Sequence, residues 1–236
     1  MSRRGRSAGV SAPEALVALL LGLFLAHLGF TTMARLRSGQ ARLATRTDGL
    51  MAMRVARHVL RSELRRGRPG EDWVASPDSL SLRAFRGTGL VCPHDTVTAE
   101  LTVSYGGNRR PDPSKDSLLL VRADGSSEVR ALVAVTAAST SCGPIAEEAL
   151  ETWELDTGVA PGSVLARLFE RGSYHVNSSA LRYRRGASGR QPLTPEVWSG
   201  ATAWSQAGAR LGFQAYPRDA LAGEPWSAFL AWTESE

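Results

Sequence analysis

Few residues in this sequence have the type and spacing that chemistry requires. Cys92 and Cys142 stand fifty positions apart with no neighbouring Cys or His at metal-ligand spacing, which suits one disulfide. Closing a loop of about fifty residues is worth roughly 4 kcal/mol in the chain-entropy picture. The alternative is a pair of buried free thiols, and an export signal would favour the bond. His27, His58, His94 and His175 are scattered and make no metal pattern. In Cys92-Pro93-His94-Asp95 a thiol stands beside a base, but adjacency in sequence does not supply catalytic geometry. Asp112 and Asp116, in RRPDPSKDS, offer two carboxylates toward the six to eight oxygens that calcium takes, and a solvated turn accounts for them more simply. No P-loop or dinucleotide fingerprint occurs. The expectation is no catalytic residue, no metal and no cofactor.

The most unusual titratable group is Glu14, because an apolar run follows it at once. Ala15 to Ala34 reads ALVALLLGLFLAHLGFTTMA, twenty residues without a formal charge. At ~1.5 Å per residue this crosses a ~30 Å hydrocarbon core. A carboxylate at the lip of such a helix costs a few kcal/mol to submerge unless a cation answers it. An α-amine of a neighbouring molecule at about 4 Å, at an effective dielectric near 20, supplies on the order of 4 kcal/mol. The other reading leaves Glu14 exposed at headgroup level.

Charge is uneven along the 236 residues. Residues 1–34 carry +2, residues 35–68 carry +8 from ten arginines against Asp48 and Glu63, and residues 69–236 carry −5 within a total of +5. A basic stem that begins directly after an apolar run reads as membrane and assembly electrostatics. The acidic remainder makes a nucleic-acid partner an unfavoured reading. The leader arginines Arg3, Arg4 and Arg6 hold the N-terminus in the cytoplasm by the positive-inside rule, with Arg35 and Arg37 opposing on the other flank.

Three readings of the N-terminus are open. A cleaved secretory signal fits MSRRGRS and a small-x-small site at Thr32, Met33 and Ala34, although the apolar run exceeds a usual signal core of about 7 to 15 residues. An uncleaved anchor explains the span. The third rests on GVSAPEALVALL, residues 9–20, where Gly9 ends a short basic leader and Glu14 follows five residues later. This resembles the type IV prepilin signature of Gly, then Phe-Thr-Leu-x-Glu, then a hydrophobic helix. Val10 stands where that family usually has Phe, and Pro13 lies in the first helical turn, where its missing N–H is tolerated.

The resemblance implies cleavage after Gly9 by a prepilin peptidase, N-methylation of Val10, and an assembly role for Glu14. The implied partners are that peptidase, other pilin or pseudopilin subunits, an inner-membrane assembly platform and the bacterial membrane. The implied placement is a single pass through the inner membrane with a periplasmic head, then a pilus or pseudopilus. RVARHVLRSELRR at 54–66 and FERGSYHVNSSALRYRRG at 169–186 are similar to the large minor subunits, the J-type pseudopilin of type II secretion and the W-type minor pilin.

Leu36, Leu43, Leu50, Met53, Leu60 and Leu64 continue a helical stripe beyond Ala34, and Gly67, Pro69 and Gly70 stop it, predicting a helix from about 10 to 66. The domain division is a leader at 1–9, a transmembrane helix at 10–34, an amphipathic stem at 35–68 and a β-rich head at 69–236. Strands are predicted at 80–86, 96–105, 117–122, 128–137, 149–156, 164–170, 173–177, 180–185, 209–216 and 227–232, with hairpins at Ala123–Ser127 and Arg185–Arg190. One long helix before a run of strands makes the fold class α+β, a pilin-like helix packed on a mostly antiparallel sheet. The tryptophans, Trp73, Trp153, Trp198, Trp204, Trp226 and Trp232, are expected mostly in the core, with 197–232 a second candidate as a contact surface. The leading functional expectation is a structural subunit near a filament tip. The alternative is a membrane-anchored periplasmic module that captures a ligand or DNA.

Overall fold

The computed structural model describes residues 11–138, 142, 150–208, 210–217 and 226–231. The fold is α+β: one long helix, α1 (Ala12–Leu64), then strands β1 (Trp73–Ser76), β2 (Ser79–Val91), β3 (Thr98–Gly107), β4 (Asp116–Arg122), β5 (Ser127–Ala137), β6 (Leu150–Val159), β7 (Ser163–Asn177), β8 (Ala180–Arg185), β9 (Arg190–Pro192), β10 (Trp198–Ala207), β11 (Arg210–Pro217) and β12 (Trp226–Ala231). The chain divides into two compact units, residues 1–48 and 49–236, and α1 contributes to both.

In the second unit, β2 and β7, at 13 and 15 residues, are long enough to serve two sheets each. The C-terminal half of β2 pairs with β3 on one side and with the N-terminal half of β7 on the other. Continuing through β3–β6, β6–β5, β5–β4 and β4–β7, the antiparallel pairings close a six-stranded barrel. Closure removes the exposed edges that an open sheet would leave. Alternate residues point inward and fill the barrel: Leu101, Val103, Leu118, Leu120, Leu132, Trp153, Leu155, Ala166 and Leu168 form one buried cluster.

The other halves of β2 and β7 belong to an open five-stranded sheet, β1-β2-β7-β8-β9. A register shift at Arg86, between Phe85 and Gly87, marks the change from one sheet to the other. α1 packs on this sheet through Ala52, Met53, Ala56, Leu60 and Leu64, together with Leu80, Leu82, Ala84, Tyr174 and Leu181 and with Trp198, Trp204, Leu211, Phe213 and Ala215 from β10 and β11. Ala52 and Ala56 have almost no side chain to interpose, so the helix backbone lies close to the sheet. The Gln206 side-chain oxygen accepts the Ala75 N–H at 2.7 Å, tying β10 to β1.

The helix begins at Ala12 and ends at Leu64, two residues inside each expected limit. Leu36 and Leu43 of the expected stripe are exposed, and Leu50 is 44% exposed. Met53, Leu60 and Leu64 of the stripe are buried as expected, and Gly49, Ala52 and Ala56 complete the buried face. Residues 173–177 do not start a new strand, because β7 runs through Gly172: a Cβ there would come within 2.2 Å of the Tyr183 hydroxyl, so glycine is required by close approach. Both predicted hairpins form. Gly125 takes φ +83° while the Asp124 carboxylate accepts the Ser126 N–H and hydroxyl, and β8 pairs with β9 through Arg184 and Arg190.

Candidate functional site

The candidate segment is built from the first turns of α1 upward. The Ser11 carbonyl accepts the Ala15 N–H at 3.1 Å, which opens the helix, and Pro13 sits where no intrahelical N–H is needed. Glu14 lies in the first turn, favourable to the helix dipole, and the Ser11 hydroxyl donates to Glu14 Oε2 at 3.5 Å. Ser11-x-x-Glu14 is the spacing of a capping box, a local role for Glu14 that the sequence analysis missed and the motif itself could have shown. Gly9 and Val10 lie outside the described residues.

Above Glu14 the apolar side chains are exposed on every face of the helix: Leu19 74%, Leu23 72%, Phe30 75%, with Leu16, Leu20, Leu21, Phe24 and Leu25 also open. A helix apolar all round and unburied requires an apolar solvent or other apolar helices, since each such side chain gains about 1.5–3 kcal/mol on burial. This helix is long and apolar enough to cross a membrane by length and composition. Its hydroxyls are satisfied internally: Thr31 and Thr32 donate to the Leu28 carbonyl at 3.0 and 2.8 Å. Arg35, Arg37, Arg42 and Arg46 follow, all exposed.

Cys92 and Cys142 form a disulfide with a Cα–Cα distance of 5.4 Å, so Cys92 is not a free thiol. It leads out of β2 into the loop before β3, where His94 Nδ1 meets the Thr96 carbonyl at 2.9 Å. Asp116 is no solvated turn residue: it is buried, takes both Arg109 Nη atoms at 2.6 Å and accepts the Asp112 N–H at 2.8 Å. Asp112 accepts from Lys115 Nζ at 2.6 Å and from Ser114, and these contacts hold its carboxyl well below the usual range. The two carboxylates are thus already neutralised. Among the described residues no group of three or more His, Cys, Asp and Glu is arranged to hold a metal. Trp73, Trp153, Trp198 and Trp204 are buried, Trp226 lies on β12, and Trp232 is outside the described residues.

Sequence reasoning also missed a buried charge network where barrel, sheet and helix meet. Arg86 donates to Glu63 of α1 at 2.7 Å and to Glu170 of β7 at 2.9 and 3.1 Å; Glu170 also takes Arg109 at 3.1 Å and the Tyr183 hydroxyl at 2.9 Å. Burial alone would push the Arg86 guanidinium down, but the two glutamates outweigh it and hold it above its ordinary value. Burial first, and Glu63 second, push the Tyr174 hydroxyl up, so it stays protonated. Every carboxylate here is paired with a cation that cannot deprotonate, which makes the network a structural joint. The only sequence signal is an arginine inside an apolar strand.

No protein-family model, no curated protein and no solved structure matches the chain.

Proposed function

We propose that the chain is a pilin-like structural subunit, of the minor pilin or pseudopilin kind, in a type IV pilus or type II secretion pseudopilus. In this reading a prepilin peptidase cuts between Gly9 and Val10, the N-terminal helix sits in the inner membrane with the head in the periplasm, and assembly draws the helix among those of neighbouring subunits. The role is architectural and uses no catalytic residue.

The observation that carries the reading is Glu14 in the first turn of a helix whose following twenty residues carry no formal charge and leave their large apolar side chains exposed on every face. Lipid answers the apolar surface but not the carboxylate. The α-amine released by cleavage of a neighbouring subunit answers both charge and position, and cleavage at Gly9 would leave Pro13 in the first turn, where proline fits. The disulfide supports the periplasmic side, where such bonds persist.

The test is a Glu14→Gln chain expressed beside the native one, with sheared filaments and subunit complexes recovered from the same cells. The variant should be processed at Gly9 and remain in the membrane while its share in assemblies falls at least tenfold. Incorporation equal to the native chain would remove the proposal's physical basis.

A further inference from the structure

The outward face of the five-stranded sheet carries an unusual set of side chains. Val74, Ser81, Ser173, Arg184 and Arg190 stand in register across β1, β2, β7, β8 and β9, and Arg83 faces Arg171 in the next row. Like charges directly opposite on paired strands are destabilising, and this sheet keeps two such pairs, Arg83 with Arg171 and Arg184 with Arg190. Arg83 is answered by Asp72 at 3.1 Å, and Arg182 by Glu196 at 2.8 Å. Among the described residues no carboxylate forms an ion pair with Arg171, Arg184 or Arg190.

Beside this row the surface is concave. An open groove of about 410 Å³ is lined by Glu71, Asp72, Ser81, Arg83, Arg171 and Ser173, among others, a volume within the range of small-molecule sites. Its chemistry is mixed. Among the described residues the Arg171 guanidinium has no ion-pair partner and the Ser81 hydroxyl no hydrogen-bond partner, while Ser173 is held by His175 Nε2 at 2.8 Å. Glu71 is an exposed acceptor only loosely paired with Arg68, at 3.8 Å. Asp72 is occupied by Arg83 and by the Arg68 N–H.

Such a set takes a ligand that carries negative charge and hydroxyl donors together. We propose that the groove binds an acidic saccharide, its carboxylate on Arg171 with Arg184 nearby, and its hydroxyls on Ser81, Ser173 and Glu71. A guanidinium matches a carboxylate in planar, two-pronged geometry. A nucleic acid, charged at every phosphate, would meet the Glu71 and Asp72 carboxylates on the groove wall, and the row from Val74 to Arg190 offers no ring for base stacking.

Binding is tested with the full chain in detergent micelles by titration calorimetry, using trigalacturonate, its fully methyl-esterified form and a single-stranded DNA 12-mer. Trigalacturonate should bind saturably at one site, and the ester, with hydroxyls but no charge, at least tenfold more weakly. Arg171→Ala should cost at least tenfold with the disulfide and the unfolding midpoint retained, and Arg171→Lys should recover part of the loss. Ser81→Ala, at an exposed position, provides a second variant with an expected severalfold loss. The inference is overturned if trigalacturonate fails to bind, if the ester binds equally, if neither the Arg171 nor the Ser81 change matters, or if the DNA binds more tightly and depends on Arg171. None of these outcomes touches residues 9–14, so the subunit proposal stands or falls separately.

Discussion

Glu63, in the last turn of α1, accepts a 2.7 Å hydrogen bond from Arg86, the residue at which β2 passes from the open sheet into the barrel. This pair fastens the helix to the point where the two β layers diverge. Arg86 extends the joint to Glu170, and Arg109 extends it to Asp116 at the start of β4.

Removing the shared cation should therefore cost more than one ion pair on the surface. Arg86→Leu leaves Glu63 and Glu170 buried without their principal partner, and a loss of about 3–5 kcal/mol is expected in denaturant unfolding of the full chain in micelles. Arg86→Lys, which cannot reach both glutamates in planar geometry, should fall between.

Acid should weaken the same joint. Burial alone would raise the Glu170 carboxyl, but hydrogen bonds from Arg86 and Tyr183 outweigh it and hold the group below its ordinary value. A depressed carboxyl contributes stability that is present above the unfolded value, about 4.3, and is lost as pH falls through the folded one. Unfolding free energy followed from pH 6 downward should decline below about pH 4.5, and Glu170→Gln, already less stable at neutral pH, should show a shallower decline.

The Cys92–Cys142 bond closes a loop across fifty positions that contains β3, β4 and β5, half of the barrel strands. Replacing both cysteines with serine should cost about 4 kcal/mol, and the native chain should show the same loss when reduced. An unchanged midpoint in either case would mean that the barrel holds its closed form without the cross-link.

His175 should titrate below the usual value near 6.5. Burial first, then Arg190 and Arg184, push its imidazole down, against a smaller opposing contribution from Asp78. The folded chain thus prefers neutral His175, so this residue's contribution to stability is present above about pH 6.5 and is lost as pH falls through the folded value. An NMR titration should place its midpoint below 6.5, and a chain with Arg184→Ser and Arg190→Ser should bring it upward.

Periodicity made some elements legible and proximity hid others. The helix, the Asp124-Gly125 hairpin and the strands from β2 to β8 follow from apolar spacing and turn residues. β10, WSGATAWSQA, has Thr202 as its one β-branched residue among small Gly, Ala and Ser and was not predicted; its Trp198 and Trp204 are held by packing on Phe213, with ring centroids 5.5 and 4.7 Å away. β1, at four residues, is too short to show alternation. Closure of the barrel depends on pairing β2 with β7, some eighty positions apart, and no local pattern encodes it. The Arg86 joint was hidden for the same reason, since its partners lie 23 and 84 positions away. Glu14, by contrast, stands out because its surroundings are local.

The mass of the mature N-terminus tests the central claim most directly. Intact-protein and peptide mass spectrometry of the chain recovered from the membrane should find residues 1–9 removed and the sequence beginning at a methylated Val10. A chain that retains Met1, or one that begins beyond Ala34, would contradict the account.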